Sequence, residues 1–312
     1  MTYSSSSITG RNPIPEGNFG LWPRQRVPGH WHTALIKNIR ITAVYILLCV
    51  LGLVMLYPIL WLISASIKPN ADIFVTTNLI PKNPTLASYI NGWKTSGPQT
   101  YGTYFINTFM LVVPTVLFTL ISSIVVAYGF ARFRFRFKKL LFSLMLSSLL
   151  LPNEVLLIPR YIFFNRLGWI DSYFPIIVPS MFATYSFFIF LLVQFIRNLP
   201  RELDEAAIVD GCNSFGILTN IILPLCKPAL ISTTIFQFVW RWNDYLNVLV
   251  YINSSNKFPL SLALRMNLDT TDTIVWGNTL AMVTLAIVPP TVLFFFCQRY
   301  FVEGIATTGI KG

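Results

Sequence analysis

The chain has 312 residues, 54% hydrophobic and only 11% charged, with a formal net charge of +11. Soluble domains carry roughly 25% charge. A core of this size could not hide so much apolar surface from water, so lipid is the expected solvent. The cations are sparse and lie between apolar runs, which excludes a nucleic-acid binder and fits basic residues held on one side of a membrane.

Residues 1–40, rich in Ser, Pro, Gly and Arg, read as a loosely ordered cytoplasmic arm without the apolar core of a signal peptide. His30 and His32 flank Trp31, and a histidine pair alone makes a poor metal site. Cys49, Cys212, Cys226 and Cys297 have no CxxC spacing, so neither zinc nor redox chemistry is indicated. No metal ligand set is therefore expected.

Six apolar segments follow, each near the length of about 20 residues that spans a bilayer: Ile41–Ser66, Tyr104–Ala131, Leu140–Pro159, Tyr173–Ile196, Ala229–Tyr251 and Thr279–Phe301. The expected fold is an all-α integral membrane protein. It has a six-span domain over residues 41–304 and a short cytoplasmic tail over 305–312. Basic residues concentrate in the arm, in the loop Arg132–Lys139 and after the fourth segment, which puts both termini in the cytoplasm. The cluster Arg132–Lys139 reads either as an anionic-lipid site or as a stop signal for insertion. The long loop Lys68–Thr103 reads either as a rest for an extracytoplasmic partner or as a connector.

Between the fourth and fifth segments lies the loop 198–228. Pro200 suits a first helical turn, and Glu202, Asp204 and Glu205 complement the helix dipole. Ala206 and Ala207 promise a smooth face for close approach, and Gly211 a turn. Ser214 is the expected cap of a second short helix, which Leu223-Pro224 would end. The expected product is a helix–turn–helix shaped for docking.

Glu205-Ala206-Ala207, three residues, Asp210 within them, then Gly211, nine residues, Ile221, Leu223 and Pro224 resemble the EAA loop of ATP-binding-cassette importer permeases. Leu151-Pro152-Asn153-Glu154-Val155, Trp242-Asn243-Asp244-Tyr245 and the ending Ala306–Gly312 resemble the carbohydrate, maltose-type branch with six spans. The resemblance covers the chain from about the first span onward. It implies a type I importer permease in the bacterial inner membrane, paired with a second, different permease subunit. It further implies an ATPase dimer docked on the EAA loop and an extracytoplasmic solute-binding protein. Glu205 would meet a basic group of the ATPase. ATP and Mg would be bound by the ATPase subunits and no cofactor by this chain. No lysine here follows Gly and precedes Ser or Thr, so a phosphate loop is missing and no enzymatic activity of its own is expected.

Charged groups at membrane depth are costly and mark function or pairing. Arg241 and Asp244 are spaced for an intrahelical pair. Trp240, Trp242, Asn243, Asp244 and Tyr245 offer rings and amides suited to sugars, and either line the passage or hold the fifth span to the partner permease. Glu154, after Pro152, would satisfy backbone groups, meet Arg160 or line the cavity. The function implied is import of an oligosaccharide, disaccharide or related polyol. The alternatives are an sn-glycerol 3-phosphate or other polyol-phosphate permease, or an ion-coupled secondary transporter.

Overall fold

A computed structural model describes residues 30–76, 78–94, 98–266, 268 and 274–309, with backbone alone for 30–37 and 300–309. The expected arm over residues 1–29 and the end of the tail, 310–312, lie outside these, as do the histidine side chains. Every regular element among the described residues is helical. The chain divides between Tyr57 and Pro58 into two units. Helix α1 (His30–Ser66), whose residues up to Tyr57 belong to the first unit, already runs through residues 30–40, so this part of the predicted arm is helical backbone rather than loose chain.

The second unit carries the helices from α2 (Ala87–Lys94) onward. Among the described residues, three helices are unbroken and long enough to cross a membrane: α1 over Asn38–Ser66, α3 (Tyr101–Arg132), and α14 (Trp276–Gly309) over Trp276–Arg299. The other three predicted spans are each interrupted. In the third, α4 (Lys138–Ser147) and α5 (Asn153–Arg166) flank a 103° bend. Pro152 lacks an N–H and pushes Leu151 into extended backbone, which ends the first half. The fourth is α6 (Phe174–Ser180) and α7 (Ser186–Asn198), parted near Ala183, whose φ is +53°. The fifth, α11 (Lys227–Trp242), stops before Asn243, and α12 (Leu246–Tyr251) follows.

Helix α3 is the organising strut: it packs on α6, α7 and α11, while α11 packs on α14 and α14 on α2. Its 32 residues span roughly 48 Å. Its buried face is rich in small polar residues. Thr108, Thr115 and Thr119 turn their hydroxyls onto carbonyls one helical turn back. Thr119 also accepts from Gln237 Nε2 of α11 at 3.0 Å. Small residues let helices approach where lipid offers no hydrophobic drive.

Two apolar clusters lie along this strut. One joins Tyr101–Val116 to Trp242, Val248 and the turn of α13 (Leu260–Met266). The other joins Ile124–Ala131 to α7 and to the 198–228 loop. At the first, Asn107 Nδ2 donates to the carbonyls of Asn256 and Phe258. Asp171 accepts from Ser254 and from Lys257 Nζ at 2.8 Å, clipping two loops together. The loop after α1 is no loose connector: Lys68 is buried and donates to the Thr76 carbonyl, and Gly277 of α14 packs on Ser88 of α2.

Candidate docking loop and solute cleft

The 198–228 segment forms α8 (Glu202–Val209), α9 (Ser214–Ile217), a π turn over Leu218–Ile222, and α10 (Leu223–Leu225). Glu202, Asp204 and Glu205 fill the first turn of α8. At its end Gly211 has φ +84°. Its N–H donates to the Ile208 carbonyl at 3.0 Å, and the Cys212 N–H to the Ala207 carbonyl at 2.8 Å. This paired closure demands left-handed backbone, the reason glycine stands there.

Two expectations for this loop change. The cap of α9 is Asn213, whose Oδ1 accepts from Gly216 N–H at 2.8 Å, and not Ser214. An amide reaches the open N–H one residue earlier than the serine would. Leu223-Pro224 lies inside the last turn, α10, of the helical run from Ser214, which ends one residue later at Leu225, and a 76° bend follows before Lys227. The π turn widens the backbone just where Pro224 withholds its N–H. The two alanines also do not share a free face. Ala206 is exposed, but Ala207 is buried among Ile217, Ile222, Leu192 and Ile196. Small size at 207 serves packing of α8 on its own protein.

The outward face is instead apolar at residues the sequence reading passed over. Ile208 is 61% exposed, Val209 87% and Phe215 72%. Around them Glu205, Ala206, Asp210 and Pro224 are exposed, and Ile221 and Leu223 are half-buried. The signal was present as an apolar pair at the tip of a charged helix. Beneath, Arg132 Nε of α3 meets Asp204 Oδ2 of α8 at 2.6 Å, both nearly buried. Arg132 also donates to the Leu199 carbonyl. Nothing local in the sequence announces this pair. It ties the loop to the main strut, and removing one partner of a buried pair costs roughly 3 kcal/mol or more.

At the other end, a cleft of about 710 Å³ is lined by Trp242, Asn243 and Tyr245, with Ser261 and Arg265 of α13 and Ile287 and Pro290 of α14. Trp242 is a core residue at the cleft wall. It stacks on Phe238, meets Phe105 and Phe109 edge-on, and donates Nε1–H to the Ala286 carbonyl at 3.0 Å. Asn243 is exposed and donates to the Val239 carbonyl, which leaves its amide oxygen as an acceptor. Asp244 turns away from the cleft. It pairs with Arg241 and accepts from the Asn247 side chain and backbone. The Arg241 guanidinium lies 5.3 Å from the Tyr185 ring. Trp240 faces elsewhere, against Phe187 and Phe188. Glu154 is exposed in the first turn of α5, outside this cleft and in no ion pair with Arg160. Of the six residues singled out for the passage, the structure thus brings three together.

Residues 101–307 match the model of the family described as "Binding-protein-dependent transport system inner membrane component". The chain is 31% identical over 271 residues to the probable ABC transporter permease protein YurM of Bacillus subtilis, covering 87% of this chain and 89% of that one. It is 32% identical over 269 residues to the arabinooligosaccharides transport system permease protein AraQ of Halalkalibacterium halodurans, covering 84% and 93%. Its fold is similar to a chain in the crystal structure of a bacterial ABC transporter that imports the acidic polysaccharide alginate. The TM-score is 0.75 with 24% identity, covering 85% of this chain and 97% of that one. The all-helical fold agrees with these matches: the chain belongs to the binding-protein-dependent transport system inner membrane components, the permease subunits of ABC importers.

Proposed function

We propose that this subunit passes a neutral oligosaccharide or disaccharide into the cytoplasm, driven by ATPase subunits that grip the 198–228 loop. The observation that carries the docking role is the apolar tip Val209–Phe215 on a helix closed by Gly211 and anchored through Asp204. Such a tip fits a cleft on another protein, and burying Val209 and Phe215 would contribute about 1.5–3 kcal/mol each. Glu205 beside it supplies a charge for a basic group. ATP and Mg bind the ATPase dimer, which works this loop as a lever. A second permease chain completes the passage, and a solute-binding protein delivers the cargo.

The sugar reading rests on the cleft, with ring faces, an amide and a hydroxyl from Tyr245, Asn243 and Ser261, and on the relative named for arabinooligosaccharides. A polyol phosphate is disfavoured beside that relative, and an ion-coupled secondary transporter leaves the docking loop without a purpose. Both termini and the docking loop face the cytoplasm, as the basic loops direct.

The test is to purify tagged wild type beside Glu205→Lys and Gly211→Asp in mild detergent, then identify partners and assay vanadate-sensitive ATP hydrolysis. Loss of the ATPase from the variants supports the reading. Transport by the chain alone, without ATP, would sink it. For the passage, Asn243→Ala should weaken sugar uptake with assembly intact; unchanged uptake removes the cleft from the pathway.

A further inference from the structure

The segment after α3 alternates cations and rings: Arg132, Phe133, Arg134, Phe135, Arg136, Phe137, Lys138, Lys139. It begins where a membrane-length apolar helix ends, and therefore at the boundary between hydrocarbon and water. Phe133, Phe135 and Phe137 are 43%, 42% and 60% exposed. The chain turns sharply there, with Phe137 in left-handed backbone at φ +63°. That conformation is unfavourable for a bulky residue. It is held by Lys138 Nζ donating to the Phe133 carbonyl at 2.7 Å and by the Leu141 N–H donating to the Phe137 carbonyl. The Arg136 guanidinium lies 5.1 Å from the Phe137 ring.

The turn borders a shallow, open cleft of about 500 Å³ lined by Arg134, Phe135, Phe137, Lys138, Lys139 and Leu140. Arg134, Arg197 and Arg201 stand near enough for their charges to act on Lys138. No acidic side chain lines the cleft, and none of these cations belongs to an ion pair among the described residues. Like charges gathered without a counter-charge repel one another, so an anion is the missing component. Exposed rings beside the cations require that the anion bring apolar surface with it.

We propose that this cleft binds the headgroup of an anionic phospholipid of the surrounding bilayer. The phosphate sits among Arg134, Lys138 and Lys139, and the acyl chains lie along Phe135, Phe137 and Leu140. The site opens directly from Arg132, the residue that carries Asp204 of the docking helix. A lipid that holds the turn thereby also steadies α8.

The experiment is native mass spectrometry of the intact transporter, titrated with dioleoyl-phosphatidylglycerol or dioleoyl-phosphatidylcholine. Wild type is compared with R134Q/K139Q, with F135S, and with the charge-matched control K82Q/K94Q. The replaced cations are all exposed, so folding is not at issue. Phosphatidylglycerol should be retained over phosphatidylcholine. R134Q/K139Q should lower its retention on the order of tenfold, F135S should lower it less, and K82Q/K94Q should leave it unchanged. Equal retention of the two lipids, or undiminished phosphatidylglycerol on R134Q/K139Q, would overturn the proposal. So would displacement of the lipid by excess inorganic phosphate, which would mark a small-anion site. Loss of the ATPase from R134Q/K139Q with lipid unchanged would mark a protein-docking face instead and equally overturn it.

Discussion

The two ends of α3 are packed in different materials. At the loop end the fully buried residues are aliphatic and small apart from Tyr128, with the half-buried rings of Phe130, Phe142 and Phe195 against them. At the cleft end they include Tyr101, Tyr104, Phe164, Trp242, Tyr251 and Phe258, with Phe105, Phe109 and Trp169 against them. Polar fastening differs too. The docking end relies on the buried Arg132–Asp204 pair. The cleft end keeps its buried ion pair, Arg241–Asp244, local to the end of one helix and joins its elements by neutral hydrogen bonds such as Tyr101 to the Met282 carbonyl at 2.6 Å, with the half-buried Lys257–Asp171 clip outside. A smooth aliphatic block joined by one strong tie can move as a unit with whatever grips its tip. An aromatic frame with a polar-lined gap can hold a ring-shaped solute while its helices shift.

The largest expected break in this contrast comes from the tie. Arg132→Met or Asp204→Leu should each destabilise the docking end by roughly 3 kcal/mol, because a buried charge loses its counter-charge. The double variant should recover much of that loss. Thermal unfolding of the purified complex and co-purification of the ATPase would read it; equal loss in single and double variants would show that the pair is not the tie.

Next is packing. Ala207→Leu overfills the aliphatic block and should cost about 1–3 kcal/mol, whereas Ala206→Leu, on the exposed side, should leave the unfolding midpoint in place. At the other end a Cβ on Gly277 would lie 2.6 Å from Ser88 Oγ. Gly277→Ala should cost on the order of 1–3 kcal/mol and be relieved by Ser88→Ala, as a double-mutant cycle on unfolding would show.

Gly211→Ala is smaller. The added Cβ meets open space, so the penalty is backbone strain alone, about 1–2 kcal/mol. It should appear as weaker ATPase co-purification with little change in global stability.

The smallest effect concerns pH. The Lys257 ammonium, and after it the Ser254 hydroxyl, hold the Asp171 carboxyl well below the ordinary carboxylate range. A depressed folded pKa stabilises the folded form above the unfolded value near 4 and loses that contribution only as pH falls through the depressed value. The 171–257 clip should therefore stay closed at pH 5. Hydrogen exchange of residues 252–257 should rise only in stronger acid, and modestly, since the pair is solvent-screened. Asp171→Asn should open it at neutral pH.

Apolar length and basic loops made the helical membrane fold legible in the sequence, because both follow from composition along the chain. The loop motif was legible because Glu205, Ala206, Ala207, Gly211 and Pro224 keep fixed spacing. Continuity of the spans was not. Pro152 announced one break, but no proline or glycine stands at the interruption at Ala183 or at the stop before Asn243, where Arg241 comes to lie on the Tyr185 ring. The burial of Ala207, the Arg132–Asp204 tie and the split between Trp242 and Trp240 also lay beyond reading. Each is set by which helix comes to lie alongside, and residue spacing carries no record of that.

On the proposed docking, the α8 tip is the face gripped by the ATPase. The most direct measurement places photoreactive p-benzoylphenylalanine at Val209 in membranes holding the whole transporter, with the same probe at Leu246 near the cleft as control. Ultraviolet irradiation should join position 209, and not 246, to the ATPase subunit. A crosslink from 246 with none from 209 would show that the ATPase grips another face.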